Sequence, residues 1–489
     1  MRKPSDELHA LIQSLTKSEK RFFRSTARSG NENKIYLELF DAIEKQHQYD
    51  ESAIKKRFKN KKWIKRLNAT KSYLYQNLIT NLAIYNRKHE PAFALAEIIT
   101  HVRILQGKGF YEKAEKLIQK AKSIAQNEYD YVRLVELIRL EGLNHPGGIN
   151  PNDSEILHQQ LKEKVSCIQN EADYARLYKK SYAIIERTGH EGFDEPSVME
   201  HHQLLKHPLL QNFENAKTLE SRRQFINMHY FHALEKKDHE NMLFWIHKAK
   251  ALYEGDPATW SKSKAVNYAT TLLNLNQSYR RVAKFDEALS TLEELKHFYP
   301  STKRRSQERL SYLMEYAATH HQIETLLAIK AYKKASDSIP MIKTFFEKHR
   351  LEISKPVQLR HLWLIARLHF HQKEWKLSLK MTGKILQEKD KQLRSDIQRK
   401  AYILKLILLF EEEKYDLLEY QIRSISRLIQ LYYPNAHYEK KLVKVIARSL
   451  NHFTDDQQAI QLLREIKALG QLKNLEHEDA VEWLERRIH

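Results

Sequence analysis

This chain of 489 residues is poor in three residue types, with one cysteine, 11 glycines and 11 prolines. Cys167 has no second cysteine with which to form an internal disulfide, and a free thiol is typical of a reducing compartment. Glycine and proline each make up about 2% of the chain, well below their usual roughly 7% and 5%. Because most β and α/β folds need more turn residues than this, the composition predicts an all-α protein.

Long apolar runs are also missing. The charged residues 1–7 are not followed by the apolar stretch that a secretory signal requires. The most apolar helix-length stretch, residues 401–410, contains Lys405 and is far shorter than the roughly 18 apolar residues of a membrane span. With 42% hydrophobic residues, the chain still has enough apolar side chains to form a core. The sequence therefore predicts a soluble, cytoplasmic protein that does not insert into membranes.

Signatures of the common enzyme classes are absent as well. The sequence contains neither the Gly-x-Gly-x-x-Gly of dinucleotide sites nor the Gly-x-x-x-x-Gly-Lys of phosphate-binding loops. None of its His-Glu pairs is followed by a second histidine at the spacing of a zinc site on one helix face. We therefore expect no enzyme, no metal and no cofactor, and we interpret the 25 histidines as surface or interhelical side chains.

Residues 1–90 form a candidate N-terminal module of four helices. Thr16 and Glu19 have the spacing of a capping box, which predicts a helix start just before Phe22. Apolar periodicity predicts three more helices, around residues 35–43, 50–58 and 63–85. The short connection at residues 46–49 gives two of them the proportions of a helix-turn-helix.

From about residue 91 one pattern recurs. In residues 268–301, large apolar side chains line one helix, Phe285 opens the next, and the small Ala288 follows three positions later. Further copies open at Tyr111, Tyr332, Trp375 and Tyr415, with a fainter one around residues 233–249. The pattern resembles the tetratricopeptide repeat, in which two helices nest with a small residue at their closest approach.

The resemblance implies a right-handed α-solenoid of helical hairpins over residues 91–435. Its second helices begin 47, 43 and 40 residues apart (285 to 332, 332 to 375 and 375 to 415), against 34 in the family, so longer helices are implied. Pro340 falls inside a second helix of the pattern and is expected to kink or restart it. Residues 144–154 read as a loop, and residues 436–489, with a capping box at 454–457, as C-terminal capping helices.

Positive charge is concentrated in one segment. The whole chain has 83 basic and 62 acidic residues, a net charge of +21, and residues 51–88 hold 11 basic residues against the single acid Glu51. Such arrays bind phosphate backbones, because each neutralised phosphate releases a condensed counterion and nearby aromatic rings can stack on bases. A solvated face beside core aromatics and a contact for an acidic protein are the alternatives. The candidate contact residues are Lys55, Lys56, Arg57, Lys59, Lys61, Lys62, Trp63, Lys65 and Arg66.

The family resemblance implies a second candidate site. The first helix of each tetratricopeptide hairpin lines a concave groove, and its outward positions contact the ligand. Guanidinium groups pair bidentately with carboxylates, so an arginine-lined groove suits an acidic or C-terminal peptide, unless its arginines form internal salt bridges. The matching positions in this chain are Arg103, Gln277, Arg280, Arg281, Arg360, Trp363, Arg367 and His371.

Two functions are therefore in competition. The favoured expectation is a non-enzymatic adaptor or scaffold that holds a protein or peptide partner in the groove, with the basic module as a second contact. The alternative is a nucleic-acid- or ribosome-associated protein that docks on phosphate through residues 50–90. A regulator that joins a helix-turn-helix-like N-terminus to a repeat array is a version of this alternative.

Overall fold

Helical patterns in the sequence correspond to helices in the computed structural model. It describes residues 4–27, 33–87, 90–145, 150–188, 195–253, 255, 260, 262–301, 308–349, 353–434, 436–449, 464 and 478–488. Within these residues the chain is all-α, with short 3-10 and π-helical turns and without a β-strand. Its contacts divide it into two compact units, Met1–Val165 and Ser166–His489. The domain borders predicted at residues 90 and 435 do not coincide with this division, and they stay predictions.

The first unit begins with a bundle of five helices and one 3-10 turn. They are α1 (Pro4–Ser14), α2 (Lys17–Ala27), α3 (Asn33–Glu44), α4 (Glu51–Arg57), a 3-10 turn (Lys62–Arg66) and α5 (Leu67–Asn86). The capping box is confirmed, because the Glu19 amide donates to the Thr16 hydroxyl at 3.2 Å and the Thr16 amide donates to the Glu19 carboxylate at 2.8 Å. The prediction of four helices missed α1, although Leu8 and Ile12 lie one helical turn apart and are buried in the same core as Phe40.

The rest of the first unit consists of three further helices and part of a fourth. They are α6 (Pro91–Gly107), α7 (Tyr111–Asn127), α8 (Tyr131–Gly142) and the first part of α9 (Pro151–Thr188). Asn150 accepts a hydrogen bond from the Asp153 amide at 2.9 Å, so α9 starts at Pro151 and the last four residues of the predicted loop are helical. Residues 146–149 of that loop lie outside the described residues.

The second unit continues from α9 with fifteen more helices among the described residues. They are α10 (Glu195–Leu205), α11 (Leu219–Lys236), α12 (His239–Ala251), α13 (Lys262–Arg281), α14 (Phe285–Ser301), α15 (Glu308–Tyr316), α16 (Gln322–Ala328), α17 (Tyr332–Ser336), α18 (Ile339–Lys348), α19 (Lys355–His371), α20 (Trp375–Leu386), α21 (Ser395–Glu411), α22 (Tyr415–Tyr432), α23 (His437–Ser449) and α24 (Glu478–Ile488). Two 3-10 turns, Pro208–Leu210 and Phe213–Asn215, precede α11, and a π-helical turn, Ala317–His321, joins α15 to α16.

Several predicted helix starts are confirmed in both units. Tyr111, Phe285, Tyr332, Trp375 and Tyr415 each begin a helix. The small residue three positions later is fully buried at four of these helices: Ala114, Ala288, Ala335 and Ser378. Pro340 lies in the first turn of α18, so it restarts the helix as expected. The predicted capping box at residues 454–457 lies outside the described residues.

Seven turns in the described part of the chain share one backbone geometry. In each, the residue two positions before the second helix has a φ between +55° and +78°. The next amide donates to the carbonyl five residues back, at 2.8 to 3.0 Å, which satisfies a carbonyl at the end of the first helix. Only one of these residues is a glycine, which explains how the chain turns so often with so few glycines. The residues are Gly109, Tyr129, Lys237, Ala283, Lys330, Lys373 and Glu413.

Candidate nucleic-acid interface and polar clusters

The basic segment is held on the first unit by its apolar residues. Ile54 and Phe58 are buried, and the half-buried Trp63 packs against them, with its ring centroid 5.0 Å from that of Phe58. The Asp50 carboxylate caps α4 by accepting from the Ala53 amide at 3.0 Å. These contacts place the two aromatic rings in the core, where they anchor the segment rather than project from it. A position in the core is one of the alternatives that the sequence leaves open for these two aromatic residues.

All eight cations of residues 55–66 are exposed. Lys55 pairs with Glu51 at 2.8 Å and Lys61 pairs with Glu38 at 3.0 Å. The other six have no ion pair with any described residue; they are Lys56, Arg57, Lys59, Lys62, Lys65 and Arg66. We call these six residues the free basic surface.

The single acid of residues 51–88, Glu51, is itself paired with lysines. Glu51 accepts hydrogen bonds from Lys55 and Lys71, which lower the pKa of its carboxyl to about 2. Glu51 therefore stays ionised and paired at neutral pH. Its pairing with Lys55 and Lys71 means that it is not paired with any of the six residues of the free basic surface.

The predicted groove positions are split between the two units. Arg103 is exposed on the first unit and pairs with Glu136 at 2.9 Å. In the second unit Gln277 and Arg281 are half-buried on α13, and Trp363 packs against the core around Ile385. Each of the remaining four residues, Arg280, Arg360, Arg367 and His371, belongs to one of two polar clusters.

The first cluster surrounds the π-helical turn. Arg280 on α13 pairs with Glu324 on α16 at 2.6 Å, and His320 lies 3.2 Å from the same carboxylate. Arg360 on α19 donates to the Tyr316 hydroxyl at 2.8 Å. Burial raises the pKa of Glu324, but Arg280 and Arg360 outweigh it and lower the pKa to about 2. An ion pair thus joins α13 to α16, and a hydrogen bond beside it joins α19 to α15.

Histidines fill the space around this carboxylate. His320, His321 and His361 are at most 3% exposed, and His321 Nδ1 lies 3.1 Å from the Asn276 side-chain oxygen. Burial, together with a smaller effect of the nearby arginines, lowers the pKa of His321 to about 3 and that of His361 to about 4. Burial also takes the pKa of His320 well below its usual value. These imidazoles are neutral at neutral pH, so the cluster carries two positive charges and one negative charge.

The second cluster joins α19 to the C-terminal helix. Arg367 donates to both oxygens of the Asp479 carboxylate, at 2.5 and 2.9 Å, and His371 Nε2 lies 2.9 Å from one of them. Burial raises the pKa of Asp479, but Arg367 and His371 hold it well below its usual range. The Tyr332 hydroxyl donates to Glu482 at 3.2 Å. A pocket of about 220 Å³ opens beside these residues.

A third cluster has the connectivity of a catalytic triad. Ser181 Oγ lies 2.8 Å from His201 Nε2, and His201 Nδ1 lies 2.8 Å from Glu235. A serine nucleophile has to reach a substrate, yet Ser181 and His201 are fully buried and Ser181 lies within α9. The arrangement joins α9, α10 and α11 through a buried polar network. Sequence reasoning missed it because the three residues are 20 and 34 positions apart (181 to 201 and 201 to 235) and carry no local motif.

Sequence reasoning also missed the acids that complete the other two clusters. Glu324 and Asp479 are single carboxylates among 62 acidic residues, and nothing in their neighbours marks them. Within the described residues, no group of three or more histidine, cysteine or acidic side chains is placed to hold a metal ion. No helix in the described ranges has both the length and the apolarity to cross a membrane. Compared with known proteins, the chain matches no family model, and neither a curated protein nor a solved structure proved similar to it.

Proposed function

We propose that this protein is a non-enzymatic helical-repeat protein that docks on the phosphate backbone of a nucleic acid through the free basic surface. The observation that carries the proposal is the set of six exposed cations on one short segment, none with an acidic partner among the described residues. Each of these cations that neutralises a phosphate releases a counterion condensed on the nucleic acid, which favours association. The buried Phe58 and the half-buried Trp63 hold the segment in place, so little ordering is required on binding.

The groove cations favour this function over the peptide-binding adaptor. Arg103, Arg280 and Arg367 already pair with carboxylates of the chain itself, and Arg360 donates to Tyr316. A peptide carboxylate that used them would have to replace partners already in place. The free basic surface requires no such exchange.

The repeat array completes the proposal. Recurrent helix pairs with one turn geometry and a buried small residue support a tetratricopeptide-like, right-handed α-solenoid as the scaffold. Such a scaffold positions the basic module in a larger cytoplasmic assembly, of which the ribosome is one example. The adaptor function stays a second candidate because Arg367 and His371 do hold an acidic helix, namely α24 of the chain itself.

Salt dependence tests the nucleic-acid function. If all six free cations contact phosphates, log affinity falls with log salt at a slope of about −5 for a duplex and about −4 for a single strand. Changing Lys56, Lys59 and Lys62 to alanine removes three contacts and reduces the duplex slope by about 3. The measurement is fluorescence anisotropy of the full chain with a labelled duplex and a labelled single-stranded RNA across a salt series.

A matched control separates a site from general charge. Lys376, Lys380 and Lys384 form an equally exposed row on α20, and their triple alanine variant changes the net charge by the same amount. We expect this control to keep the slope of the parent chain. An unchanged slope in the Lys56/Lys59/Lys62 variant, or an equal decrease in both variants, contradicts the proposal.

A further inference from the structure

The C-terminal helix α24 is bound to the second unit as a ligand would be. Its polar anchors are two acids and one indole: Asp479 on Arg367 and His371, Glu482 on Tyr332, and the Trp483 Nε1, which donates to Glu411 at 2.7 Å. These contacts are independent of the basic surface, which belongs to the first unit.

The receiving side chains come from three different helices. Arg367 and His371 lie near the end of α19, Tyr332 begins α17, and Glu411 ends α21. The Tyr332 ring stacks on His371 with centroids 3.9 Å apart and planes 10° from parallel, which fixes the imidazole that faces Asp479. The packing of these three helices therefore forms a site that contains a guanidinium group, a stacked aromatic pair and a carboxylate that accepts from an indole N–H.

The apolar part of the contact is equally specific. Trp483 is 7% exposed and meets the ring of Phe410 edge-on, at a centroid distance of 5.4 Å, and Leu484 is fully buried. A tryptophan held at both its ring and its N–H is a typical anchor of a binding interface. An acid, a second acid three residues later and a tryptophan next to it thus define what the site recognises.

We infer that this site, formed by Arg367, His371, Tyr332 and Glu411, is a receptor for an acidic tryptophan-bearing helix of a partner protein. The chain's own α24 occupies the site in cis and competes with that partner. Charge complementarity indicates the class of occupant, because the Arg367 guanidinium group that binds Asp479 bidentately matches the geometry and charge of a carboxylate. In the sequence, 28 residues separate the end of α23 at Ser449 from the start of α24 at Glu478 (positions 450 to 477).

A full-length variant that releases α24 tests the inference. Asp479→Lys with Trp483→Ala removes the main anchors of α24 and leaves the receptor side chains intact. The probe is a fluorescein-labelled synthetic peptide of residues 474–489, titrated by fluorescence anisotropy. A tethered competitor at an effective concentration of about 1 mM, with an intrinsic Kd of about 10 to 100 μM, weakens binding of the probe roughly 10- to 100-fold. We expect the released variant to bind the probe more tightly than the parent chain by that factor.

Two controls make the result specific. Glu293→Lys changes the charge of an exposed residue on α14 and should leave probe binding as in the parent. In the released background, Arg367→Glu should abolish binding of the probe, and a probe carrying Asp479→Arg should restore it. A purely structural role for Arg367 predicts no such rescue.

A measurement on the parent chain covers the case in which the released variant does not fold. An excess of unlabelled peptide should displace α24 and speed hydrogen exchange at the amides of residues 480–487, without a change in α20. Faster exchange there supports the inference. Unchanged exchange at a peptide concentration of about 1 mM, the effective concentration of the tethered helix, overturns it, as does a folded released variant that binds the probe no better than the parent.

Discussion

Acid should destabilise the second unit through the histidines around Glu324. His320, His321 and His361 are buried with the guanidinium groups of Arg280 and Arg360 nearby. Their folded-state pKa values lie below the ordinary 6.5, at about 3 for His321 and about 4 for His361. Unfolding exposes the imidazoles and lets them bind protons, so the unfolded state gains protons between pH 6.5 and 4. The contribution of these neutral histidines to the free energy of unfolding is therefore fully present above pH 7, and it is lost as the pH falls through that window.

The expected loss can be worked out for each histidine. A group with an unfolded pKa of 6.5 that stays neutral when folded costs about 2 kcal/mol of stability between pH 7 and pH 5, and three such groups cost about 6 kcal/mol. His361 offers a clean variant, because its ring stacks on Phe345 with centroids 5.2 Å apart and its Nδ1 lies 3.0 Å from the Val357 carbonyl oxygen. His361→Phe keeps a ring in that place and removes the titrating group.

Urea unfolding followed by circular dichroism at pH 5, 6 and 7 measures the effect. The free energy of unfolding of His361→Phe should fall by about 2 kcal/mol less than that of the parent over this range. The exposed His297 on α14 supplies the control, and His297→Asn should follow the parent at every pH. A His361→Phe variant with the full pH dependence of the parent refutes the reasoning, as does a parent chain that is more stable at pH 5 than at pH 7.

Three further outcomes follow from the packing. Ala283 has a left-handed backbone conformation that glycine adopts without strain, so Ala283→Gly should raise the free energy of unfolding in urea by about 1 kcal/mol. Ala288→Gly, at a buried helix position, should lower it. Glu324→Gln leaves Arg280 beside a neutral amide and should cost about 3 kcal/mol, of which a second change of Arg280 to methionine should recover most; no recovery would show that the pair is not coupled. A fluorophosphonate probe should leave Ser181 unlabelled in the native chain because that side chain has no access to solvent, and labelling would reopen the case for a hydrolase.

The sequence supported the fold class and many local features because these depend on neighbouring residues. Few glycines and prolines predicted an all-α chain, and the Thr16–Glu19 spacing predicted a cap that the structure contains. The aromatic residues at Phe285 and Trp375 were predicted to open helices, and they do. Short-range periodicity did not predict which residues have a left-handed φ at the turns, because residue types such as Lys330 and Glu413 do not favour that conformation.

What the sequence by itself determined is the concentration of charge: eight cations lie within residues 55–66, whatever the fold. Only the tertiary structure decided which cations of the chain are free, because an ion pair depends on distance in space and not on spacing along the chain. It left Lys56 and Lys62 without partners among the described residues, and it brought Glu324 to Arg280 and Asp479 to Arg367. Arg367 and Asp479 lie 112 positions apart in the sequence. Because Asp479 binds Arg367, a residue predicted to contact a peptide is already paired with a carboxylate of the chain itself.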